Sequence, residues 1–418
     1  MKIFFSICVI ALFLTGGKSE AQNSCKQIIG YYPSWQMYKR GGAVVPEVVD
    51  YSRYTIINYS FFAPDSNGYL KGTDPWADTL LLRGRIDWGK PQPAYFTNTS
   101  LVDFAHLWGV KVMISIGGWT LSDNFPGIAD DPEKTKTFVK ECVRVIKEFQ
   151  FDGIDIDWEY PCYEEHSGRP DVDKENFTTF MRAIRSGIDT LGKELDREFL
   201  LTAAFGANTG QMDCIEYAEV SKFMDYINMM TYDFNGTWSP DANHNSPLYS
   251  PSKGYEGSLD LAFKLLRERD VPAKKINLGV AFYGRTIKGF KGEEPAMYAE
   301  HDGKTDIERY PLHEGMPLYY RIVDEIADYE EKWDEAAQTP YLINKDDSSF
   351  VSYDNEKSIR LKATYALDNK CAGVIIWDAT GDYMEKRKGS LLLTGTPLAD
   401  QLVDVLQPCD QPRIKKRY

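Results

Sequence analysis

The sequence alternates eight times between a short run of β-branched or aromatic residues and a longer segment with the apolar spacing of an amphipathic helix. Strands that are separated by helices pair in parallel, and eight such units close into a barrel. The sequence therefore predicts an α/β fold, the (β/α)8 TIM barrel. The predicted strands are 28–32, 55–61, 110–116, 153–158, 199–204, 226–231, 276–282 and 372–377. The clearest predicted helices are 132–149, 175–191, 257–270 and 397–406.

One interval in this alternation is too long for a simple barrel unit. Most strand-to-strand intervals are about 25 to 55 residues, whereas the seventh and eighth predicted strands lie roughly 90 residues apart. We therefore predict an α+β lobe inserted between strand 7 and helix 7, with a helix over 318–334 and short strands at 341–343 and 350–353. The predicted boundaries are 22–286 and 353–408 for the barrel, 287–352 for the lobe and 409–418 for a C-terminal tail.

The N-terminal residues predict export from the cell. Lys2 precedes an uncharged apolar run, 3–15, and Ser19-Glu20-Ala21 resembles a cleavage site, so 1–21 is predicted to be a signal peptide. The apolar run is shorter than the roughly 20 residues that span a bilayer. We expect a secreted monomer without membrane attachment after cleavage, extracellular or, in a bacterium, periplasmic. The formal charge of −14 argues against nucleic acid as a partner.

The cysteines predict crosslinks and no metal centre. Those that follow the predicted cleavage site show no paired C-x-x-C units, so a zinc site is not indicated, and we expect no cofactor. The sequence alone does not fix how they pair. Cys25 precedes the first strand and Cys409 follows the last helix, so both should lie at the N-terminal end of the barrel, and we expect a disulfide between them. The others are Cys142, Cys162, Cys214 and Cys371.

The most informative run is 152–160, with the sequence DGIDIDWEY. Side chains alternate between the two faces of a strand, so Asp155, Asp157 and Glu159 share one face and apolar residues share the other. In a barrel the apolar face meets the helices, so the three carboxyl groups point into the lumen toward the catalytic mouth. Like charges placed close together cannot all ionise, and a proton is retained. Glu159, nearest the mouth, is the natural proton donor.

Two other interpretations of this run remain open. Alternating acids also occur on a half-exposed strand with a solvated face. Carboxylate oxygens also suit a hard cation such as Mg²⁺ or Ca²⁺. We prefer the acid–base interpretation because the sequence supplies no evident second set of oxygen ligands.

The run 152–159 follows the pattern D-x-x-D-x-D-x-E, and on this signature the chain resembles the family 18 glycoside hydrolases, the chitinases, along nearly all of its length. Other motifs of that family fall at the ends of predicted strands in the right order. The inserted lobe resembles the small α+β insertion of one branch of the family. The motifs are 30–35 (GYYPSW), 57–61 (INYSF), 115–119 (SIGGW), 230–233 (MTYD), 283–285 (YGR) and Trp377.

The resemblance implies a substrate-assisted, retaining mechanism. Glycosidases ordinarily use two carboxyl groups on opposite sides of the scissile bond, whereas these three issue from one strand. The resemblance implies that the acetamido carbonyl of the substrate attacks the anomeric carbon while Glu159 protonates the leaving oxygen. Asp157 would orient the acetamido group and stabilise the oxazolinium ion, with Asp155 adjusting the charge beneath it. Tyr232 would hydrogen-bond the acetamido oxygen.

The same motifs supply candidates for substrate binding. Trp377 would form the floor beneath the sugar at the cleavage site, and Asp233 would help to grip that sugar. Trp119 is a candidate for stacking on the leaving-group side. Arg285 is a candidate for substrate contact and equally for a structural ion pair. The remaining candidates are Tyr283, Met230, Tyr31, Phe61, Trp35 and Trp238.

The sequence thus predicts a secreted chitinase that binds and hydrolyses chitin or chitooligosaccharides. An endo-β-N-acetylglucosaminidase acting on N-glycan cores has the same fold, but such relatives generally lack the inserted lobe. A chitin-binding lectin that has lost catalysis is the alternative from another class. Such proteins typically replace the terminal acid of the signature, and here Glu159 is present.

Overall fold

The computed structural model describes residues 26–292 and 295–407 and has a closed barrel of eight parallel strands at its centre. Neighbouring strands pair in the order β1-β14-β8-β7-β6-β5-β4-β2, and β2 pairs back with β1 to close the ring. The predicted (β/α)8 barrel is confirmed. The barrel strands are β1 (Gln27–Pro33), β2 (Ile56–Pro64), β4 (Lys111–Gly117), β5 (Gly153–Asp157), β6 (Leu200–Gly206), β7 (Tyr226–Met230), β8 (Ile276–Ala281) and β14 (Gly373–Trp377). A short strand, β3 (Leu70–Gly72), pairs antiparallel with the end of β2.

Helices cover the outside of this barrel. The longest, α5 and α6, pack against each other, and the described part of the chain has no helix with both the length and the apolarity needed to cross a membrane. Asp131 caps α5 by accepting hydrogen bonds from the Glu133 and Lys134 backbone N–H groups. The helices around the barrel are α1 (Gln36–Lys39), α2 (Pro75–Asp78), α3 (Leu101–Leu107), α4 (Phe125–Ala129), α5 (Pro132–Phe149), α6 (Asp173–Leu195), α7 (Thr209–Asp213), α8 (Tyr217–Val220), α9 (Leu259–Glu268), α11 (Glu356–Asp368) and α12 (Pro397–Leu406).

Strand β5 separates apolar from acidic side chains, as its alternation predicts. Ile154 and Ile156 are completely buried in the core between strands and helices. Trp158 continues this face, and its ring stacks on Phe125 with centroids 5.5 Å apart. The intervening aspartates point the other way, into the barrel. The burial of the outer face therefore fixes the register that sends the carboxyl groups inward.

A five-stranded antiparallel sheet lies between β8 and β14 in the chain, with the order β10-β9-β13-β12-β11. It agrees with the predicted α+β insertion. Its first strand begins at Arg285 and its last inserted strand ends at Ser352, and these two residues pair. The domain boundaries themselves stay a prediction. The inserted elements are β9 (Arg285–Phe290), β10 (His301–Lys304), α10 (Tyr319–Glu325), β11 (Glu330–Asp334), β12 (Thr339–Asn344) and β13 (Ser349–Ser352).

The predicted helix over 318–334 is wrong in its second half. Helix α10 ends at Glu325, and Glu330–Asp334 forms strand β11, paired residue for residue with β12. The run EEKWD has good helix formers, but the ladder to β12 outweighs that propensity. Trp333 also lies under the Lys357 ammonium, 3.5 Å from its ring centroid. A short antiparallel hairpin, β15 (Met384–Glu385) and β16 (Leu393–Gly395), follows the last barrel strand.

One disulfide joins described residues, between Cys162 and Cys214, whose Cα atoms are 6.1 Å apart. The thiols of Cys142 and Cys371 are free and buried. The predicted signal peptide 1–21, the predicted Cys25–Cys409 bridge and the tail 409–418 lie outside the described residues. They stay predictions.

A buried lysine joins the inserted region to the barrel. Lys362 on α11 is completely buried and donates to Asp354 Oδ2 at 2.6 Å, to Ser246 Oγ at 2.8 Å and to the Ser246 carbonyl. Ser246 Oγ in turn donates to the Thr231 carbonyl at 2.7 Å, directly after β7. The ammonium therefore bridges the segment that follows the inserted sheet and the loop at the mouth of the barrel.

We predict that Lys362→Met lowers the free energy of unfolding by about 3–5 kcal/mol, because it leaves the Asp354 carboxylate buried without its partner. Urea denaturation at neutral pH measures this difference. The control is Lys264→Met, because Lys264 is an exposed helical lysine paired with Asp260 four residues earlier. The control should leave stability nearly unchanged. Equal losses in the two variants would contradict the prediction.

Candidate active site

Asp155 is held at the centre of the barrel by four hydrogen-bond donors from four other strands. Its Oδ2 accepts from Tyr31 Oη and Ser115 Oγ, both at 2.8 Å. Its Oδ1 accepts from Thr202 Oγ1 and from Asn228 Nδ2, the latter at 3.2 Å. Burial raises the pKa of Asp155, and the four hydrogen bonds oppose that rise. They supply a preorganised polar site for a carboxylate in a lumen that otherwise disfavours charge.

Asp157 lies one layer closer to the mouth and has a different environment. It is 3% exposed, and its Oδ1 has no hydrogen-bond partner among the described residues. Burial raises the pKa of Asp157 well above its usual value, and the nearby charges of Glu159 and Asp155 raise it further. The three acids therefore share protons as one group rather than titrating independently. Burial and the neighbouring charges therefore both favour the protonated form of Asp157 in the unliganded protein.

Glu159 follows the strand and lies partly exposed at the mouth of the barrel. Burial raises its pKa to about 7, with a further rise from the charge of Asp233, whereas hydrogen bonds from Tyr160 and from the Trp119 backbone oppose the rise. The backbone N–H of Glu159 donates to Ser122 Oγ at 2.9 Å, which ties the end of β5 to the loop after β4. Near neutral pH the group therefore carries a proton that it can donate.

The facing wall of the site is built on Tyr232 and Asp233, directly after β7. Asp233 has a left-handed backbone conformation, with φ of 57°, and its N–H donates to Asn245 Oδ1 at 3.0 Å. Arg285 grips the carboxylate with two nitrogens, Nε to Oδ1 at 2.8 Å and an Nη to Oδ2 at 2.7 Å. Tyr283 donates a further hydrogen bond to Oδ1. Of the two roles predicted for Arg285, the structure shows the ion pair.

The predicted floor forms an aromatic cluster at the end of β14. The ring of Trp377 stacks on Phe61 with centroids 5.8 Å apart, and it packs at a tilt against Tyr31 at 5.7 Å and Trp35 at 6.3 Å. Met230 packs in the lumen with Tyr31, among the apolar residues that surround the acids. These predicted residues therefore pack together, and the hydrogen bond from Tyr31 Oη, at 2.8 Å, connects them to Asp155.

The outer predicted tryptophans lie on the rim. Trp119 is 49% exposed, and Trp238 is 57% exposed with the Arg285 guanidinium 4.7 Å from its ring centroid. About half of each side chain is therefore accessible to solvent. Trp76, on α2 after the β2–β3 hairpin, is also half exposed, and it lies outside the family motifs that the sequence contains.

Sequence reasoning missed the polar partners that fix the acids and the floor. The donors Ser115, Thr202 and Asn228 are polar residues with apolar neighbours on both sides in their strands, and that pattern could have identified them. At the floor, Gln36 Nε2 donates to Asp378 Oδ2 at 2.7 Å, which joins the segment after Trp35 to the residue after Trp377. Gln36 follows the first barrel strand and Asp378 follows the last one, so no local sequence pattern indicates this contact.

The alternative of a hard-cation site has little support from this arrangement. The described histidine, cysteine, aspartate and glutamate side chains include no group of three that could hold a metal ion. Both oxygens of Asp155 are engaged by protein donors, and both oxygens of Asp233 are engaged by Arg285. These contacts occupy four carboxylate oxygens that would otherwise be available to a cation.

A barrel mouth that joins an acid of raised pKa, buried aspartates from the same strand and an aromatic floor has the features of a glycoside hydrolase site. The chain belongs to the glycosyl hydrolases family 18, whose sequence profile matches residues 27–382. The family resemblance read from the sequence is thereby confirmed.

Individual relatives agree with this assignment. Chitinase A1 from Niallia circulans is 30% identical over 444 residues, covering 95% of this chain and 62% of that protein. This chain thus spans less than two thirds of that relative. Chitinase ChiA74 from Bacillus thuringiensis superposes with a TM-score of 0.80 at 28% identity, covering 93% of this chain and 71% of that one. The Group IV chitinase of Ostrinia furnacalis, solved in complex with allosamidin, gives a TM-score of 0.78 at 26% identity, covering 91% and 99%.

We predict that Glu159→Gln becomes more stable relative to the native protein as pH rises from about 4.5 to 7. Because its pKa is raised, Glu159 binds its proton more tightly in the folded state than in the unfolded chain. The native protein therefore loses stability as pH rises through that window, whereas the Gln variant has no proton to lose at this position. Urea denaturation across the window measures the difference. Glu133→Gln, at an exposed position on α5, is the control and should show no such trend. A difference that does not change with pH would contradict a raised pKa at Glu159.

Proposed function

We propose that this protein is a secreted chitinase that hydrolyses β-1,4-linked N-acetylglucosamine polymers by a retaining, substrate-assisted mechanism. The observation that carries the proposal is the contrast between Glu159 and Asp233. Glu159 has a pKa of about 7 and lies at the mouth. Asp233, the facing carboxylate, is engaged by Arg285 and Tyr283 through both oxygens. It is therefore poorly suited to act as the second carboxylate of an ordinary retaining glycosidase.

In a substrate-assisted mechanism the substrate itself supplies the nucleophile, so no second carboxylate is needed. The carbonyl oxygen of the 2-acetamido group attacks the anomeric carbon, and the bond to the leaving oxygen breaks as Glu159 donates its proton to that oxygen. The resulting oxazolinium ion is positively charged. Glu159, now ionised, takes a proton from the water that opens this ring, and the product keeps the β configuration.

Asp157 and Asp155 support this cycle by redistributing charge. Asp157 Oδ1 has no hydrogen-bond partner among the described residues, which suits it to accept a hydrogen bond from the acetamido N–H. The positive charge that develops on the substrate favours the ionised form of Asp157, so its proton passes to Asp155, and the Asp157 carboxylate then stabilises the oxazolinium ion. Asp155, whose oxygens are held by four donors, is the neighbouring carboxyl group that takes up this proton. Tyr232, buried on the facing wall, would donate to the acetamido oxygen.

The remaining residues shape the space for the sugar. Trp377 presents a ring face supported by Phe61, and a pyranose ring packs its apolar C–H face well on such a surface. Arg285 holds Asp233 beside this ring, where that carboxylate can accept a hydrogen bond from a sugar hydroxyl. The predicted signal peptide supports the export of the protein, and we propose that it acts as a monomer outside the cell.

We predict that Glu159→Gln lowers kcat against chitin oligomers by several orders of magnitude, because it keeps the shape of the side chain and removes the proton donor. Binding of a chitin hexamer, measured by calorimetry, should survive. Glu133→Gln serves again as the matched control and should retain the native rate. Activity of the Glu159 variant within about tenfold of the native protein would refute its role as the acid.

We predict that substrates without the 2-acetamido group resist cleavage. Cellopentaose and fully deacetylated chitosan should give no product, while a thiazoline analogue of the oxazolinium ion should inhibit competitively, because each tests the nucleophile directly. Product analysis by chromatography measures both effects. Cleavage of cellopentaose at a rate comparable with that of chitopentaose would show that a protein carboxylate is the nucleophile.

A further inference from the structure

Three aromatic rings form a cluster beyond Glu159, on the loops after β4 and β5. The ring of Trp119 lies 5.9 Å from that of Tyr163 and 6.3 Å from that of Tyr160, and the two tyrosine rings are 6.5 Å apart. Tyr160 directly follows Glu159 and hydrogen-bonds its carboxyl group. The cluster therefore begins at the proton donor and extends away from it along the rim.

The loop that carries Tyr163 is braced at its base. Cys162 is joined by a disulfide to Cys214, which follows α7 on the loop after β6. Asp173, completely buried at the start of α6, accepts hydrogen bonds from the backbone N–H groups of Cys162, at 3.0 Å, and of Arg169. The Asp173 carboxylate thus binds the backbone at both ends of the loop, and the disulfide fixes the Cys162 end to the neighbouring loop.

The interior of the loop is also closed. The Gly168 N–H donates to the Tyr163 carbonyl at 2.9 Å, and a side chain at Gly168 would collide with the Tyr163 backbone. Tyr163 Oη donates to Glu165 at 2.7 Å. A ring fixed before binding loses little freedom when a ligand packs on it, so it contributes more affinity than a mobile one.

The side of the cleft on which this cluster lies follows from the position of the acid. A general acid protonates the leaving oxygen, so the departing sugar lies on its side of the scissile bond. The sugar that keeps the reacting carbon rests on Trp377, across the mouth. Trp119 and Tyr163 therefore face the chain that leaves.

We propose that Tyr163, held in place by the Cys162–Cys214 disulfide, forms with Trp119 a platform for sugar rings on the leaving-group side of the cleavage site. The proposal rests on the proposed chitinase function and adds a specificity determinant to it. The platform should increase the affinity for substrates that carry sugar rings beyond the leaving oxygen. Substrates whose leaving group is a single small ring gain little from it.

The test compares Tyr163→Ala with Tyr163→Phe on two substrates. One is chitin hexamer, and the other is 4-nitrophenyl chitobioside, which places no sugar on the leaving-group side. The Ala variant should lose about two- to tenfold in kcat/KM on the hexamer, as expected for one aromatic contact. It should stay within about twofold on the chitobioside, and the Phe variant should retain native values on both. An unchanged hexamer value, or equal losses on the two substrates, would overturn the platform.

The role of the disulfide is tested with Cys162→Ser/Cys214→Ser, assayed well below its own melting temperature. Selective loss on the hexamer supports the bracing role, whereas equal losses on both substrates or no loss would overturn it. If the native protein cleaves neither substrate, the proposed function fails on its own. The platform is then tested by binding alone. Calorimetry compares the hexamer affinity of Glu159→Gln with that of Glu159→Gln/Tyr163→Ala. Weaker binding by the double variant supports the platform, and equal binding overturns it.

Discussion

The site depends on the burial of carboxyl groups on a single strand. Asp155 and Asp157 on one face of β5, with Glu159 just beyond its end, would repel one another and lose hydration inside the barrel. The deepest acid, Asp155, receives four donors from other strands, whereas Asp157 Oδ1 has no hydrogen-bond partner among the described residues. The three acids therefore have different environments: Asp155 is fully hydrogen-bonded, and Glu159 at the mouth has a pKa raised to about 7.

The two walls of the cleft have complementary roles. The β5 wall holds the acids with raised pKa values, whereas on the facing wall both oxygens of Asp233 are engaged by Arg285. Burial is the largest cause of the raised pKa of Glu159, and the charge of Asp233 raises it further. The facing wall thus contributes to the acid without taking part in proton transfer.

The sequence predicts the parts of this structure that depend on local pattern. The strand 153–158 and the lumen position of its acids follow from strict alternation. The run 330–334 has the composition of a helix but forms a strand, because it is stabilised by pairing with β12, which lies outside the run. Contacts between distant segments were likewise not predictable, as with Cys162–Cys214, Gln36–Asp378 and the bracing of Tyr163. The motif alone is compatible with two roles for Arg285, because only its distance to Asp233 distinguishes them.

The first inserted strand begins at Arg285, the residue that holds Asp233, and the last one ends at Ser352, whose hydroxyl accepts from the Asn245 N–H at 2.8 Å. Asn245 in turn accepts from the Asp233 N–H. The inserted sheet is thus attached to Asp233 at both of its ends, through the carboxylate at one end and through the backbone N–H at the other. A displacement of the sheet relative to the barrel would strain both sets of contacts to Asp233 together.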